Sequence, residues 1–143
     1  MMMNTSTVCV DSNIVLRLIL GGPQREAVHR RWQQWIQSHT TLIAPSLFPI
    51  EITSVIWRYV YQHILTISEG KQALRTCLTQ KVHIVQPPHL HEQTFELCHQ
   101  LNLSQAYDAH YLAIAKEYNC TFWTIDHKLY NHVSPKLPWV KTI

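Results

Sequence analysis

The sequence alternates short apolar segments with longer segments of helical periodicity, and this alternation is the strongest constraint on the fold. The apolar segments are continuous runs rather than runs in which every second residue is polar. Continuous runs are typical of strands buried on both faces, as in parallel sheets that carry helices on each side. The pattern therefore predicts an α/β protein, a three-layer α/β/α sandwich around a central, mostly parallel sheet. The predicted strands cover residues 7–10, 41–44, 82–85, 120–125 and 139–141.

The segments between the predicted strands carry signals for the start and the end of helices. Ser12 is suited to cap the first helix, and Gly21-Gly22-Pro23 ends it. Ser104 is suited to cap an alanine-rich helix that runs to Tyr118. Pro49 falls in the first turn of its helix, where a backbone N–H has no intrahelical partner. We therefore predict helices over residues 12–20, 24–37, 47–63, 68–80, 90–101 and 104–118, and a short helix before the last strand.

Composition excludes several classes of protein. The 143 residues, 46% of them hydrophobic, fit a single domain over residues 1–143 with its own core. The three glycines cannot form the glycine-rich loops that bind dinucleotides or nucleoside triphosphates. No C-x-x-C pair indicates a zinc ribbon or a redox site, and no run reaches the ~18 apolar residues of a membrane helix. We therefore expect a cytoplasmic protein with reduced cysteines and no membrane segment.

Two aspartates stand directly after predicted strands. Asp11 follows the first strand, and Asp126 follows the fourth. In open parallel sheets, ligands bind beyond the carboxyl ends of the strands. Both aspartates are therefore candidate site residues, although an aspartate at either position can also serve only as the N-cap of the next helix.

Two further acids fall on the apolar faces of predicted helices. Asp108 has Leu112 one turn later, and Glu51 has Val55 one turn later. A carboxylate in apolar surroundings is unfavourable unless it is hydrogen-bonded, paired with a cation or bound to a metal. The alternative interpretations are an exposed acid at Asp108 and an ion pair between Glu51 and Arg58.

Together, these four carboxylates predict a site for a divalent cation. Carboxylates that converge repel one another unless a cation lies between them. Ligands that are all oxygen suit Mg²⁺ or Mn²⁺, and such ions can activate water against a phosphodiester. The net charge of +3 favours the approach of a polyanionic substrate.

Four blocks of the sequence resemble PIN-domain ribonucleases, most closely toxins of the VapC type. The most specific is the Y-D-A-x-Y-L-A stretch that begins at Tyr107, followed about a dozen residues later by a T-x-D ending at Asp126. The resemblance covers nearly the whole chain and implies an α/β/α fold with a five-stranded parallel sheet. It also implies a Mg²⁺- or Mn²⁺-dependent endoribonuclease. The four blocks are residues 8–16, 44–52, 103–115 and 124–129.

The resemblance also implies roles for individual residues and partners. The catalytic, metal-binding positions would be Asp11, Glu51, Asp108 and Asp126, and the supporting polar positions Ser12 and Thr124. The implied partners are an RNA substrate, a second copy of the chain in a homodimer, and an antitoxin whose tail lies in the active-site groove. A PIN-fold nuclease of RNA processing and a non-catalytic PIN-fold binding module stay open as alternatives, and the sequence indicates neither the target RNA nor the number of metal ions.

The chain also contains ten histidines. The His89-x-His91 pair has no third ligand at a suitable spacing, so we interpret it as exposed histidines rather than a metal site. His127 and Lys128 follow Asp126 directly and are candidates for contacts with RNA phosphate. The tryptophans on amphipathic helices are expected in the core or in a dimer interface rather than in base stacking: Trp32, Trp35 and Trp57.

Overall fold

The computed structural model describes residues 6–143, within which five strands and seven helices occur. The strands are β1 (Thr7–Val10), β2 (Thr41–Ala44), β3 (Val82–Ile84), β4 (Thr121–Thr124) and β5 (Val140–Thr142). The helices are α1 (Ser12–Leu20), α2 (Arg25–Gln37), α3 (Leu47–Tyr61), α4 (Ile67–Leu78), α5 (Leu90–Leu101), α6 (Tyr107–Glu117) and α7 (His127–Val133). Within the described range, no helix has the length and apolar character needed to cross a membrane.

The five strands form one parallel sheet in the order β3-β2-β1-β4-β5. β1 is central, with Val8 opposite Leu42 of β2 and Thr121 of β4. The chain adds β2 and β3 on one side of β1 and then crosses to add β4 and β5 on the other. Open sheets bind ligands at such a reversal of strand order, beyond the carboxyl ends of the strands. The parallel five-stranded sheet confirms the predicted fold class.

Helices cover the sheet in two groups. α1 packs on α2, α3 and α4, whereas α6 packs on α5, β1 and β4. Ile14 and Val15 of α1 and Tyr111 and Leu112 of α6 have no exposed surface. This burial fixes the ends of α1 and α6 that lie near the carboxyl edge of the sheet. The three-layer arrangement is therefore also as predicted.

The start of α6 differs from the prediction. Ser104 does not cap this helix, which begins at Tyr107 with Ala106 at the N-cap position and no capping side chain. α5 ends at Leu101, and Asn102 at its C-cap position has the left-handed conformation, with φ 52°. The residues after it form the loop that allows α6 to pack against α5, so they are not available as a first helical turn.

The three tryptophans of the amphipathic helices occupy two kinds of environment. Trp32 and Trp35 are buried, and the ring of Trp35 makes edge-to-face contacts with Trp32 and Trp123. Trp57, in contrast, is 56% exposed and lies beside the exposed Tyr61 on the outer side of α3. The core position is therefore confirmed for two tryptophans and wrong for Trp57, for which a dimer interface stays a prediction.

Candidate active site

Asp11 lies at the carboxyl end of the central strand and is almost completely buried. Its backbone N–H donates to Trp123 O at 3.0 Å, which continues the pairing of β1 with β4 past the end of β1. This pairing brings Thr124 beside Asp11, and Thr124 Oγ1 donates to Asp11 Oδ2 at 2.8 Å. Thr124 is itself fully buried. The predicted supporting position therefore contacts the predicted strand-end acid directly.

Asn13 completes this arrangement, although sequence reasoning gave it no role. Its Nδ2 donates to Asp11 Oδ2 at 3.2 Å and to Thr124 Oγ1 at 3.1 Å. Its Oδ1 accepts from the backbone N–H of Ile125 at 3.3 Å. Asn13 thus fixes the end of β4 against the start of α1. The signal that could have identified it was its place in the D-S-N triplet after a predicted strand.

Glu51, from the second turn of α3, approaches the same region. Its Oε1 accepts from Ser12 Oγ at 3.2 Å and from Tyr111 Oη at 2.5 Å. Within residues 6–143, Glu51 forms no ion pair with Arg58, so the alternative interpretation of Glu51 is wrong. Sequence reasoning missed Tyr111 because the local pattern marks it only as a core aromatic of α6.

Asp108 and Asp126 stand on the more open side of the site. Asp108, in the first turn of α6, is half-buried and accepts no hydrogen bond from any residue of the described range. Asp126 is exposed and caps α7, since its Oδ1 accepts from Leu129 N at 3.0 Å. The capping interpretation therefore applies to one oxygen of Asp126. Both acids line a cavity of about 270 Å³.

Besides burial, the charges of neighbouring acids raise the pKa of two of the four carboxyl groups, which indicates that the fold gathers the acids into one region. Burial, and then the charges of Asp108 and Glu51, raise the pKa of Asp11 to about 7, against the opposing hydrogen bond from Thr124. Burial, and then Glu51 and Asp126, raise the pKa of Asp108. Within residues 6–143, no lysine, arginine or histidine forms a salt bridge with any of the four acids. Their negative charge is therefore not neutralised by nearby protein cations.

The raised pKa of Tyr111 follows from the same surroundings. Burial is its largest cause, and the charges of Asp11 and Glu51 act in the same direction. The phenol therefore keeps its proton and donates it in the short hydrogen bond to Glu51.

The chemistry of the donor set fits a hard divalent cation. It consists of carboxylate oxygens and hydroxyls, which Mg²⁺ and Mn²⁺ prefer, and it lacks thiolate and imidazole ligands. Within the described part of the chain, no three His, Cys, Asp or Glu side chains are close enough to ligate one ion together. Mg²⁺ usually retains several waters and uses only one or two carboxylates directly, and the arrangement is compatible with that mode.

The histidines near these acids have other contacts. His110 directs Nδ1 to Ala106 O at 2.8 Å and Nε2 to Nδ1 of His91 at 3.1 Å. His89 Nδ1 lies 3.9 Å from Glu92 Oε2, and His127 Nε2 lies 3.2 Å from Ile143 O. These rings therefore contact the protein away from the four acids.

Comparisons with known proteins agree with this fold. A family model described as PIN domain matches residues 9–135. Similar solved structures include a toxin-antitoxin complex from Klebsiella pneumoniae, 19% identical, with TM-score 0.66 and coverage of 94% of this chain and 96% of the other. They also include VapBC2 from Rickettsia felis bound to a DNA fragment from its promoter. This structure is 14% identical, has a TM-score of 0.68 and covers 95% of this chain and 98% of the other. No curated protein sequence matches the chain significantly.

Proposed function

This chain belongs to the PIN-domain family of nucleases, and on that premise we propose that it is a Mg²⁺- or Mn²⁺-dependent endoribonuclease acting in the cytoplasm. One observation carries the proposal most strongly. Four acids lie near the carboxyl edge of a parallel sheet, and burial followed by the charges of neighbouring acids raises the pKa of Asp11 and of Asp108. Within residues 6–143, none of the four forms a salt bridge with a protein cation. An arrangement of this kind is unfavourable in a purely structural role and is useful for holding divalent cations. The proposed metal-binding residues are Asp11, Glu51, Asp108 and Asp126.

In this proposal the buried side chains orient the acids. Thr124 and Asn13 both donate hydrogen bonds to Oδ2 of Asp11. Within residues 6–143, Oδ1 accepts only a long hydrogen bond of 3.5 Å from Ser12 Oγ. A bound divalent cation would supply the positive charge that activates a water molecule and stabilises the phosphodiester transition state. Ser12, through its hydrogen bond to Glu51, holds the carboxylate of Glu51 near that of the adjacent Asp11.

We further propose that the chain is the toxin of a type II toxin-antitoxin pair and that it forms a homodimer. The support for the toxin role is that the two solved structures named above are described as toxin-antitoxin (VapBC) proteins and that each aligns over nearly the full length of both chains. Growth arrest upon expression, relieved by a small protein encoded beside it, is the expected result. A PIN-fold nuclease of RNA processing would cleave RNA in vitro but cause no arrest that a neighbouring gene relieves.

Activity is tested by incubating the purified chain with RNA in Mg²⁺ or Mn²⁺ and in a chelator. We expect cleavage with the metal only, and a loss of at least about a thousandfold in Asp11→Asn and Asp108→Asn. Glu26→Gln, which removes an exposed acid of α2, serves as the control and is expected to cleave at the wild-type rate. Cleavage by Asp11→Asn at the wild-type rate would contradict the proposal, and a wild-type chain that binds neither metal nor RNA would favour a non-catalytic binding module.

A further inference from the structure

Two further segments line the cavity that Asp108 and Asp126 share. One side is formed by residues 102–105, the loop between α5 and α6. The other side is formed by Lys128, Leu129 and His132 of α7. The cavity therefore combines two carboxylates, one ammonium group, one imidazole, two side-chain amides and one hydroxyl.

Asp126 caps the start of α7, and further hydrogen bonds that do not involve the acids hold these segments in place. His132 Nε2 donates to Leu101 O at 2.8 Å, and Lys136 Nζ donates to Gln100 O at 3.2 Å, so the end of α5 is fastened to the region of α7. The backbone N–H of Leu103 donates to Cys98 O at 3.0 Å. The loop and α7 are therefore arranged before any ligand binds, which lowers the entropic cost of binding.

Lys128 is the basic side chain best placed to act in this cavity. It is exposed, and within residues 6–143 it forms no salt bridge, although two carboxylates line the same cavity. His127, the other basic residue next to Asp126, does not line the cavity and contacts Ile143 O instead. Of these two neighbours, only Lys128 has an unpaired charge facing the space beside the acids.

We propose that this cavity is a subsite for one nucleotide of the RNA next to the scissile phosphate, and that Lys128 contacts a backbone phosphate there. The inference rests on the proposed function and adds the residues that bind the substrate. An ammonium group is a compact charge suited to phosphate, and the side-chain amides of Asn102 and Gln105 offer both donors and acceptors to a sugar or a base. A volume of about 270 Å³ suits a single nucleotide better than a folded RNA element.

The test measures RNA binding separately from cleavage. In an Asp11→Asn background, the affinity for a short labelled single-stranded RNA is measured over a range of salt concentrations with Lys128→Ala and with Lys71→Ala. Lys71→Ala removes the same charge from an exposed position of α4 and serves as the control. We expect Lys128→Ala to weaken binding about tenfold at low salt and to reduce the slope of log K against log salt by about 0.7, the loss of one phosphate contact on a single strand. Lys71→Ala should change the affinity less than about twofold.

A second variant tests the shape of the cavity rather than its charge. Ser104→Trp places a large ring in an exposed loop position that lines the cavity. It should weaken RNA binding and leave the salt slope at the value of the Asp11→Asn parent. In the cleaving wild-type background, Lys128→Ala should raise KM and change kcat little, because it removes a contact to the substrate rather than a metal-binding acid.

The outcomes separate this inference from the proposed function. If Lys128→Ala equals the Lys71→Ala control in affinity and in salt slope, the subsite is wrong, while metal-dependent cleavage by the wild type still supports the nuclease. If the variants behave as expected but the wild type never cleaves RNA, the subsite is supported and the proposed catalysis is wrong. Failure of every variant to bind RNA at low salt contradicts both.

Discussion

The two sides of the acidic site differ in how firmly the fold holds their side chains. The inner side consists of Asp11, Ser12, Asn13, Glu51, Tyr111 and Thr124, which are joined by hydrogen bonds and are buried or half-buried. The outer side consists of Asp108, Asp126 and Lys128, which face the cavity and make few contacts with their surroundings. The inner side is thus part of the folded core, and the outer side is a surface arranged around a space.

The two sides therefore differ in what makes their charged carboxylates energetically unfavourable. On the inner side the cost is the desolvation of Asp11, which hydrogen bonds offset only in part, because its pKa stays raised. On the outer side Asp108 is only partly desolvated, and the added repulsion from Glu51 and Asp126 is screened by solvent. Substitutions on the inner side should therefore change stability as well as activity, and substitutions on the outer side should change activity almost alone.

The largest expected effect on stability concerns Asp11 in the absence of metal. Because the folded pKa of about 7 exceeds the ordinary value of 3.8, the folded chain binds more protons than the unfolded chain between these values. The free energy of unfolding should therefore fall by on the order of 2–4 kcal/mol as pH rises from about 4 to 7. Above pH 7 it should level off. Chemical denaturation in a chelator at several pH values measures this profile.

Asp11→Asn provides the decisive comparison for that profile. At pH 8 without metal it should be more stable than the wild type, and at pH 4 the two should be about equal. Mg²⁺ should raise the Tm of the wild type at pH 8 and leave that of Asp11→Asn nearly unchanged, since a ligand stabilises the state it binds. Equal pH profiles for the two proteins would mean that Asp11 is not the group responsible.

A smaller effect is expected from Tyr111→Phe on the inner side. The substitution removes the hydroxyl that donates to Glu51 and leaves a half-buried carboxylate with one donor fewer. We expect the free energy of unfolding at pH 8 to fall by about 1–2 kcal/mol. Tyr61→Phe, on the exposed outer side of α3, is the matched control and should change stability by less than about 0.5 kcal/mol. If the two variants were equally stable, the hydrogen bond would contribute nothing to folding.

The smallest effect on stability is expected from Asp108→Asn on the outer side. No hydrogen bond to Asp108 is lost within residues 6–143, and the neutral side chain avoids both the partial burial of a charge and the repulsion from Glu51 and Asp126. The free energy of unfolding should change by about 0.5 kcal/mol or less, although RNA cleavage is expected to be lost. A destabilisation as large as that of Tyr111→Phe would remove the distinction between the two sides.

The sequence predicted the fold, and it made four acids candidates for a site, because strands and unusually placed acids both leave local signals. Apolar runs mark the strands, and an acid after a strand or on an apolar helix face is visible in a short segment. The contacts that hold Glu51 and Asp11 were not predictable in this way, since Tyr111 lies 60 residues from Glu51 and Thr124 lies 113 residues from Asp11. The start of α6 was misplaced because Ser104 resembles a cap locally, whereas packing between α5 and α6 decides where the helix begins.

The central place of β1 in the sheet has a consequence during protein synthesis. β1 is made before its partner β4, and more than 100 residues separate the two strands. A nascent chain emerges from the ribosome with its amino-terminal part first. Until β4 has emerged and paired with β1, Asp11 lacks Thr124, and the chain carries neither Asp126 nor the cavity wall formed by α7. A chain that stops before β4 therefore lacks the assembled acidic site, even though it already carries Asp11, Glu51 and Asp108.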